Sequence, residues 1–209
     1  KSVKESIFNP INYWDINVNG STKLLSVMDR FNCRTIVFSS SATIYALLND
    51  KPIKEDTEIK PINPYGRTKV AIENILNDIY DSQPEGWSIA NLRYFNPIGA
   101  HPSGLIGEAP VGVPSNIFPY LTQVAKGKLE KLSIYGNDWP TLDGTGIRDY
   151  IHVMDLADGH ISALDYLIKN KNQIINLNLG TASGTSVLEL VNTFERVNNL
   201  KIPLEYGPR

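Results

Sequence analysis

A single cysteine, Cys33, stands in 209 residues, so no internal disulfide can form and a disulfide-stapled scaffold is excluded. A lone thiol also favours a reducing compartment. Long apolar runs are missing: none approaches the stretch of about 18 residues that a membrane-spanning helix needs. Excess charge of one sign is missing too. The 20 Lys and Arg are matched by 22 Asp and Glu, and no basic run marks a nucleic-acid surface. His101, His152 and His160 lack metal-ligand spacing, and the only thiol lies far from them in the sequence. Ser39, Ser40 and Ser41 lack the Gly-x-Ser-x-Gly elbow of a serine hydrolase. The chain opens on Lys1, without a signal-peptide pattern. Hydrophobic residues at 42% against 20% charged exclude a disordered or collagen-like chain. A soluble, cytoplasmic globular protein is expected, long enough for one large domain or two small ones and cut from something longer.

Short apolar runs alternate with segments of helical period. Residues 35–38 form a β-branched and aromatic run ending in three serines, the profile of a buried strand. Residues 88–95 are a second strand candidate, stopped by Asn96 and Pro97; residues 132–135, 150–153 and 174–177 follow as shorter ones. Between them, residues 69–80 carry Val70, Ile72, Ile75, Leu76 and Ile79 as a helical stripe, and residues 155–168 repeat the idea. Helices are also expected over residues 10–31, despite Gly20, over 117–125, and over 190–197 behind the capping-box spacing of Ser186 and Glu189. Strand–helix alternation over the first hundred residues implies an α/β fold with a parallel sheet. From 97 to 146 the chain turns rich in Gly and Pro, and so long an ordered loop region on an α/β scaffold is usually functional. The expected division is a sheet-forming domain over residues 1–96 and a smaller mixed substrate-binding region over 97–209, some of whose strands return to the main sheet.

The constellation with the most chemistry is Ser39 to Ser41 followed by Tyr65 and Lys69. Tyr65 and Lys69 stand four apart at a helix start, so they share a face. An ammonium beside a phenol favours the phenolate and is expected to lower the tyrosine pKa. Such a tyrosine takes a proton from an alcohol while a hydride leaves the same carbon. The serines lie at the end of a buried strand, where open α/β sheets place their ligands. Tyr-x-x-x-Lys alone is a weak signal; the strand-end hydroxyl one connection earlier strengthens it.

The Ser, Tyr-x-x-x-Lys set resembles that of the extended short-chain dehydrogenase/reductases. The wording SSSATIY (39–45), NPYGRTK (63–69), LRYFNPIGAHPSG (92–104) and DGTGIRDYIHVMDLADGH (143–160) is similar, within them, to the UDP-glucose 4-epimerases. The resemblance runs the length of the chain. It implies a Rossmann-like parallel sheet, NAD as cofactor, UDP-glucose and UDP-galactose as partners, and a homodimer formed through the helices after Pro10 and Tyr65. It implies Tyr65 as catalytic base, Lys69 as its partner on the nicotinamide ribose, and Ser41 as proton relay. Lys1, Asn17 and Phe95 match cofactor-lining positions. Asn96, Asn116, Tyr135, Arg148 and Arg209 match positions that hold the UDP-sugar, as do Ser41 and Tyr65.

On their own chemistry, Arg148 and Arg209 each offer a planar fork of donors to a diphosphate. Alternatives stay open: a surface salt bridge from Arg148 to Asp149, an N-cap role for Asn116, ordinary core for Tyr135 and Phe95, and a simple strand end at Asn96. His152, among apolar strand residues, reads as a structural histidine. Ala46 stands where the resembling family has glycine. A dehydratase, decarboxylase or other epimerase of nucleotide sugars is the alternative enzyme, although Ala42 and Thr43 occupy the places of a dehydratase's Asp-Glu pair. No Gly-x-x-Gly-x-x-Gly turn for a pyrophosphate precedes the serine strand. Against the family, the first βαβ units and the last C-terminal elements are missing. The isolated chain is therefore expected to be an inactive sugar-nucleotide-binding fragment without NAD.

Overall fold

β1 (Thr35–Ser39), β2 (Ser88–Tyr94) and β6 (Ile174–Leu179) pair in parallel in the order β1-β2-β6. β2 lies in the middle and is buried over six of its seven residues, which is why it reads as a continuous run rather than an alternating one. Alternate side chains serve opposite faces. Ile36, Phe38 and Ile89 join Leu25 of α3 (Gly20–Arg30) and Ile72 and Leu76 of α4 (Pro64–Ser82). Val37, Ala90, Leu92 and Ile175 instead meet Ala163 and Leu167 of α6 (Val153–Lys169). The computed structural model that shows this describes residues 2–46, 52–110, 114 and 116–209. Lys1, expected at the cofactor, lies outside the described residues.

Two compact units emerge. The first runs to Phe95 and resumes over Asp155–Leu179; the second comprises Asn96–Met154 and Gly180–Arg209. Most of α6 and all of β6 thus belong with the first sheet.

The helix expected over residues 10–31 is not uniform. α2 (Pro10–Tyr13) passes through a π-helical turn, Trp14–Asn19, before α3 begins at Gly20. π turns within helices often mark functional positions, and this one presents Asn17. A short α1 (Val3–Phe8), capped by Ser2, precedes it without a sequence signal.

In the second unit, β3 (Asn96–Ile98) pairs in parallel with β5 (Ile147–His152), which pairs antiparallel with β7 (Gly184–Ser186). β4 (Leu132–Tyr135) pairs in parallel with β8 (Leu204–Gly207). α5 (Ile117–Ala125) and α7 (Val187–Asn198) pack Leu121, Val124 and Val191 on Leu132 and Ile202. The capping box of Ser186 and Glu189 is formed at the start of α7. β3 and β7 are three residues each, too short to show a period.

Candidate functional site

In the first unit, chain geometry brings β1's end and α4's start together. Asn63 caps α4 by accepting the N–H of Gly66 at 2.8 Å, and Pro64 opens it. Gly66 has to be glycine: a Cβ there would sit 2.8 Å from the Thr43 carbonyl oxygen. That close approach sets the helix against the 3-10 turn Ala42–Ile44, and hence Tyr65 against Ser41.

Ser41 Oγ accepts from the Thr43 N–H at 3.2 Å and from the Thr43 hydroxyl at 3.0 Å. With both acceptor sites taken, the Ser41 hydroxyl is left to act as a donor, and toward the Tyr65 phenol it pulls the pKa down. The serine therefore acts as donor and the tyrosine oxygen as acceptor.

Lys69 does not behave as its spacing suggests. Its Nζ donates to the Ser39 carbonyl at 2.9 Å and lies over the rings of Phe38 at 4.9 Å and Tyr65 at 5.7 Å. The expected lowering of the Tyr65 pKa by Lys69 is overturned. Burial pushes Tyr65 up to about 12, helped by Tyr94 and Tyr13, against the downward pull of Ser41. Burial likewise holds Lys69 below the ordinary lysine value. A shared helix face fixes proximity; the rotamer decides whether two groups couple. The Lys69 ammonium has three donors, and one of them meets a hydrogen-bond acceptor among the described residues. Two spare donors beside a phenol suit a vicinal diol.

The sign of this shift makes a stability prediction. The unfolded chain releases the Tyr65 proton near 10.0 and the folded one near about 12, so this contribution to stability is full below pH 10 and lost as pH rises through about 12. Urea midpoints of the natural polypeptide containing this chain are expected to fall between pH 10 and 12 more steeply than those of Tyr65→Phe. Parallel slopes would contradict the burial.

Asn17 in the π turn donates to Thr68 Oγ1 at 2.9 Å, and Thr68 in turn donates to the Tyr65 carbonyl at 2.7 Å. Phe95 is half-buried and closes β2 through its N–H to the Leu179 carbonyl. His160 reaches the same strand end: its Nδ1 donates to the Leu156 carbonyl at 2.8 Å, and its Nε2 is hydrogen-bonded to the Ser39 hydroxyl at 3.2 Å.

The second unit holds a cavity of about 550 Å³, within the size range of small-molecule sites. Asn96, Asn116, Tyr135 and Arg148 all line it, together with Lys131 and Trp139. Tyr135 is not core: it is 70% exposed, because Leu132 and Ile134 take the inward positions of β4. Nor does Arg148 pair with Asp149. That carboxylate accepts the Thr181 and Ala182 N–H groups, whereas the guanidinium donates to the Ile147 carbonyl and meets no carboxylate among the described residues. Asn116 stands at the N-cap of α5 without capping it; its amide donates to Glu108 at 3.2 Å. Arg209 does not line the cavity. It is paired with Asp138 at 2.8 Å and stacked over Trp139 at 4.4 Å. His152 is exposed, accepts the Met154 N–H, and packs so closely on Gly99 that a Cβ there would lie 2.4 Å from its ring.

Sequence reasoning missed Lys131 and Trp139 at the cavity, and Glu73 and Arg93 behind the serines. Arg93 had a signal: an arginine within an apolar strand run must find a partner.

A model of the NAD dependent epimerase/dehydratase family matches residues 1–178. UDP-glucose 4-epimerase 2 of Oryza sativa subsp. japonica is 53% identical over 210 residues, covering 100% of this chain and 51% of that protein. Among solved structures, the chain is similar to a UDP-glucose-4-epimerase from Stenotrophomonas maltophila with bound NAD and formylated UDP-arabinopyranose (TM-score 0.96, 47% identity, 100% of this chain and 62% of that one). It is also similar to a UDP-glucose 4-epimerase from Bifidobacterium longum in complex with NAD+ and UDP (TM-score 0.93, 46% identity, again 100% and 62%). The chain thus spans between half and two thirds of the length of these relatives.

Proposed function

We propose, since this chain belongs to the NAD-dependent epimerase/dehydratase family, that the natural polypeptide containing it interconverts UDP-glucose and UDP-galactose by transient oxidation at C4 of the sugar. The observation that carries the reading is Ser41, whose two acceptor sites Thr43 fills, so that toward Tyr65 its hydroxyl is left as a donor. Tyr65 takes the proton of the 4-hydroxyl, and the Ser41 hydroxyl, left as a donor by Thr43, favours the phenolate that receives it. Bound NAD would supply the hydride acceptor and a positive charge beside the phenol, offsetting the burial that pushes Tyr65 up. Lys69, Asn17 and Phe95 would hold it, with Lys69 giving its spare donors to the ribose.

The 4-keto sugar must stay bound while its other face turns to the hydride, so the grip has to fall on the UDP. Asn96, Asn116, Tyr135 and Arg148 are proposed to provide that grip from the cavity, and Arg209 to join them by exchanging Asp138 for a phosphate. A place in galactose metabolism, a cytoplasmic location and a homodimer belong to the same proposal. No helix among the described residues is long and apolar enough to cross a membrane.

The test is isotopic. UDP-galactose carrying deuterium at C4 is expected to yield UDP-glucose with the deuterium still at C4, because the hydride returns to the carbon it left. Exchange of that label with solvent protons would overturn the mechanism.

A further inference from the structure

Behind the serines lies an ion pair that the reaction itself does not use. Glu73 and Arg93 are 3% and 4% exposed. Arg93 Nε and Nη2 donate to the two carboxylate oxygens of Glu73 at 3.1 and 2.7 Å, a two-pronged contact. Nη1 donates to the Tyr45 phenol at 3.0 Å and to the Glu55 carbonyl at 3.1 Å. Tyr45 passes its own proton to Asn178 at 2.7 Å. On the other side, the Ser40 hydroxyl donates to Glu73 at 2.5 Å.

One guanidinium therefore grips both ends of the segment from Ser40 to Tyr45: one end through Glu73, the other directly. Ser41 and Thr43 lie between the two grips. Glu73 also completes a stripe. Tyr65, Lys69 and Glu73 are spaced four apart on α4, so they share a face. Each serves one of three successive serines: Lys69 binds the carbonyl of Ser39, Glu73 binds the hydroxyl of Ser40, and Tyr65 feels the hydroxyl of Ser41, which lowers its pKa. A buried ion pair is a poor way to gain stability, since desolvation consumes most of its attraction. Its directional bonds do fix geometry.

We propose that Glu73, clamped by Arg93, is a positioning residue that holds Ser41 beside Tyr65 by tethering Ser40 to the tyrosine's own helix. This rests on the reading of Tyr65 and Ser41 as the proton-transfer pair. Removing Glu73 itself would leave Arg93 buried and unpaired and would endanger the fold, so the informative variants cut the tether at its two ends. Ser40→Ala removes the link to Glu73 and leaves the ion pair whole. Tyr45→Phe removes the opposite grip and keeps the ring under Arg93.

In the natural polypeptide, each variant is expected to lower kcat for UDP-galactose about tenfold, since misplacement of reacting groups by a fraction of an ångström is costly. KM should stay within about twofold, because neither residue lies at the cavity that would hold the nucleotide. The acid limb of the kcat profile should move to higher pH. Ser41's donation favours the phenolate, and the other groups facing Tyr65, namely Lys69, Tyr13 and Tyr94, are untouched. If both variants keep kcat within twofold while Tyr65→Phe is inactive, the positioning role is wrong. If kcat falls only in step with a collapsing urea midpoint, and the acid limb stays in place, Glu73 is merely structural and the proposal also fails. Full activity in Tyr65→Phe would instead bring down the reading on which it rests.

Discussion

Tyr65→Phe in the natural polypeptide is expected to lower epimerase turnover by at least about a hundredfold, the usual contribution of a positioned acid–base group, while UDP binding persists. The variant deletes one oxygen. The ring keeps its edge contact with Tyr13 and its place under Lys69, so the helix start should survive. The cavity assigned to the nucleotide is lined by residues of the second unit, and Tyr65 is not among them. Turnover measured by a coupled assay for UDP-glucose and UDP affinity measured by calorimetry should therefore separate cleanly. Near-normal turnover would remove Tyr65 from the reaction. A parallel loss of UDP affinity would assign it to binding instead.

How far this site is legible in the sequence depends on what spacing encodes. β2 could be read because a strand buried on both faces has no polar alternation to confuse with a loop, and α4 because its apolar stripe is long. Spacing also places Tyr65 and Lys69 on one face. It does not say where a flexible ammonium ends, and Lys69 ends on the Ser39 carbonyl. The sign of the tyrosine shift then follows from burial, which periodicity does not report. Glu73 escaped for a related reason. It continues the Tyr65–Lys69 stripe by one more step, but a search for apolar residues passes over a carboxylate among Ile72, Ile75 and Leu76.

The cavity is harder still. Asn96 comes from β3, Asn116 from the start of α5, Tyr135 from β4 and Arg148 from β5, and only the pairing of β3 with β5 and the packing of α5 on β4 bring them together. Within β4 the two-residue alternation does separate Tyr135 from the core pair Leu132 and Ile134. For Arg148, adjacency to Asp149 suggested an ion pair, yet neighbours in a strand point to opposite faces, and Asp149 is already committed to Thr181 and Ala182.

That uncommitted guanidinium yields the second large effect. Arg148→Met is expected to weaken UDP binding roughly tenfold to a hundredfold, the span set by charge-assisted hydrogen bonds of about 1.5–3 kcal/mol. Its present bond, to the Ile147 carbonyl, keeps the side chain at the cavity without neutralising it, so little has to be broken before it can meet a phosphate. Methionine retains much of the aliphatic stem and removes the charge and all the donors. Arg148→Lys keeps the charge without the fork and should recover only part of the loss. Uridine provides the control. It lacks the phosphates, so its affinity should be the same in Arg148→Met as in the unmodified protein. Calorimetric titration of both ligands decides the matter: equal losses for uridine and UDP would mean that Arg148 shapes the cavity, and no loss for UDP would mean that the diphosphate is held elsewhere.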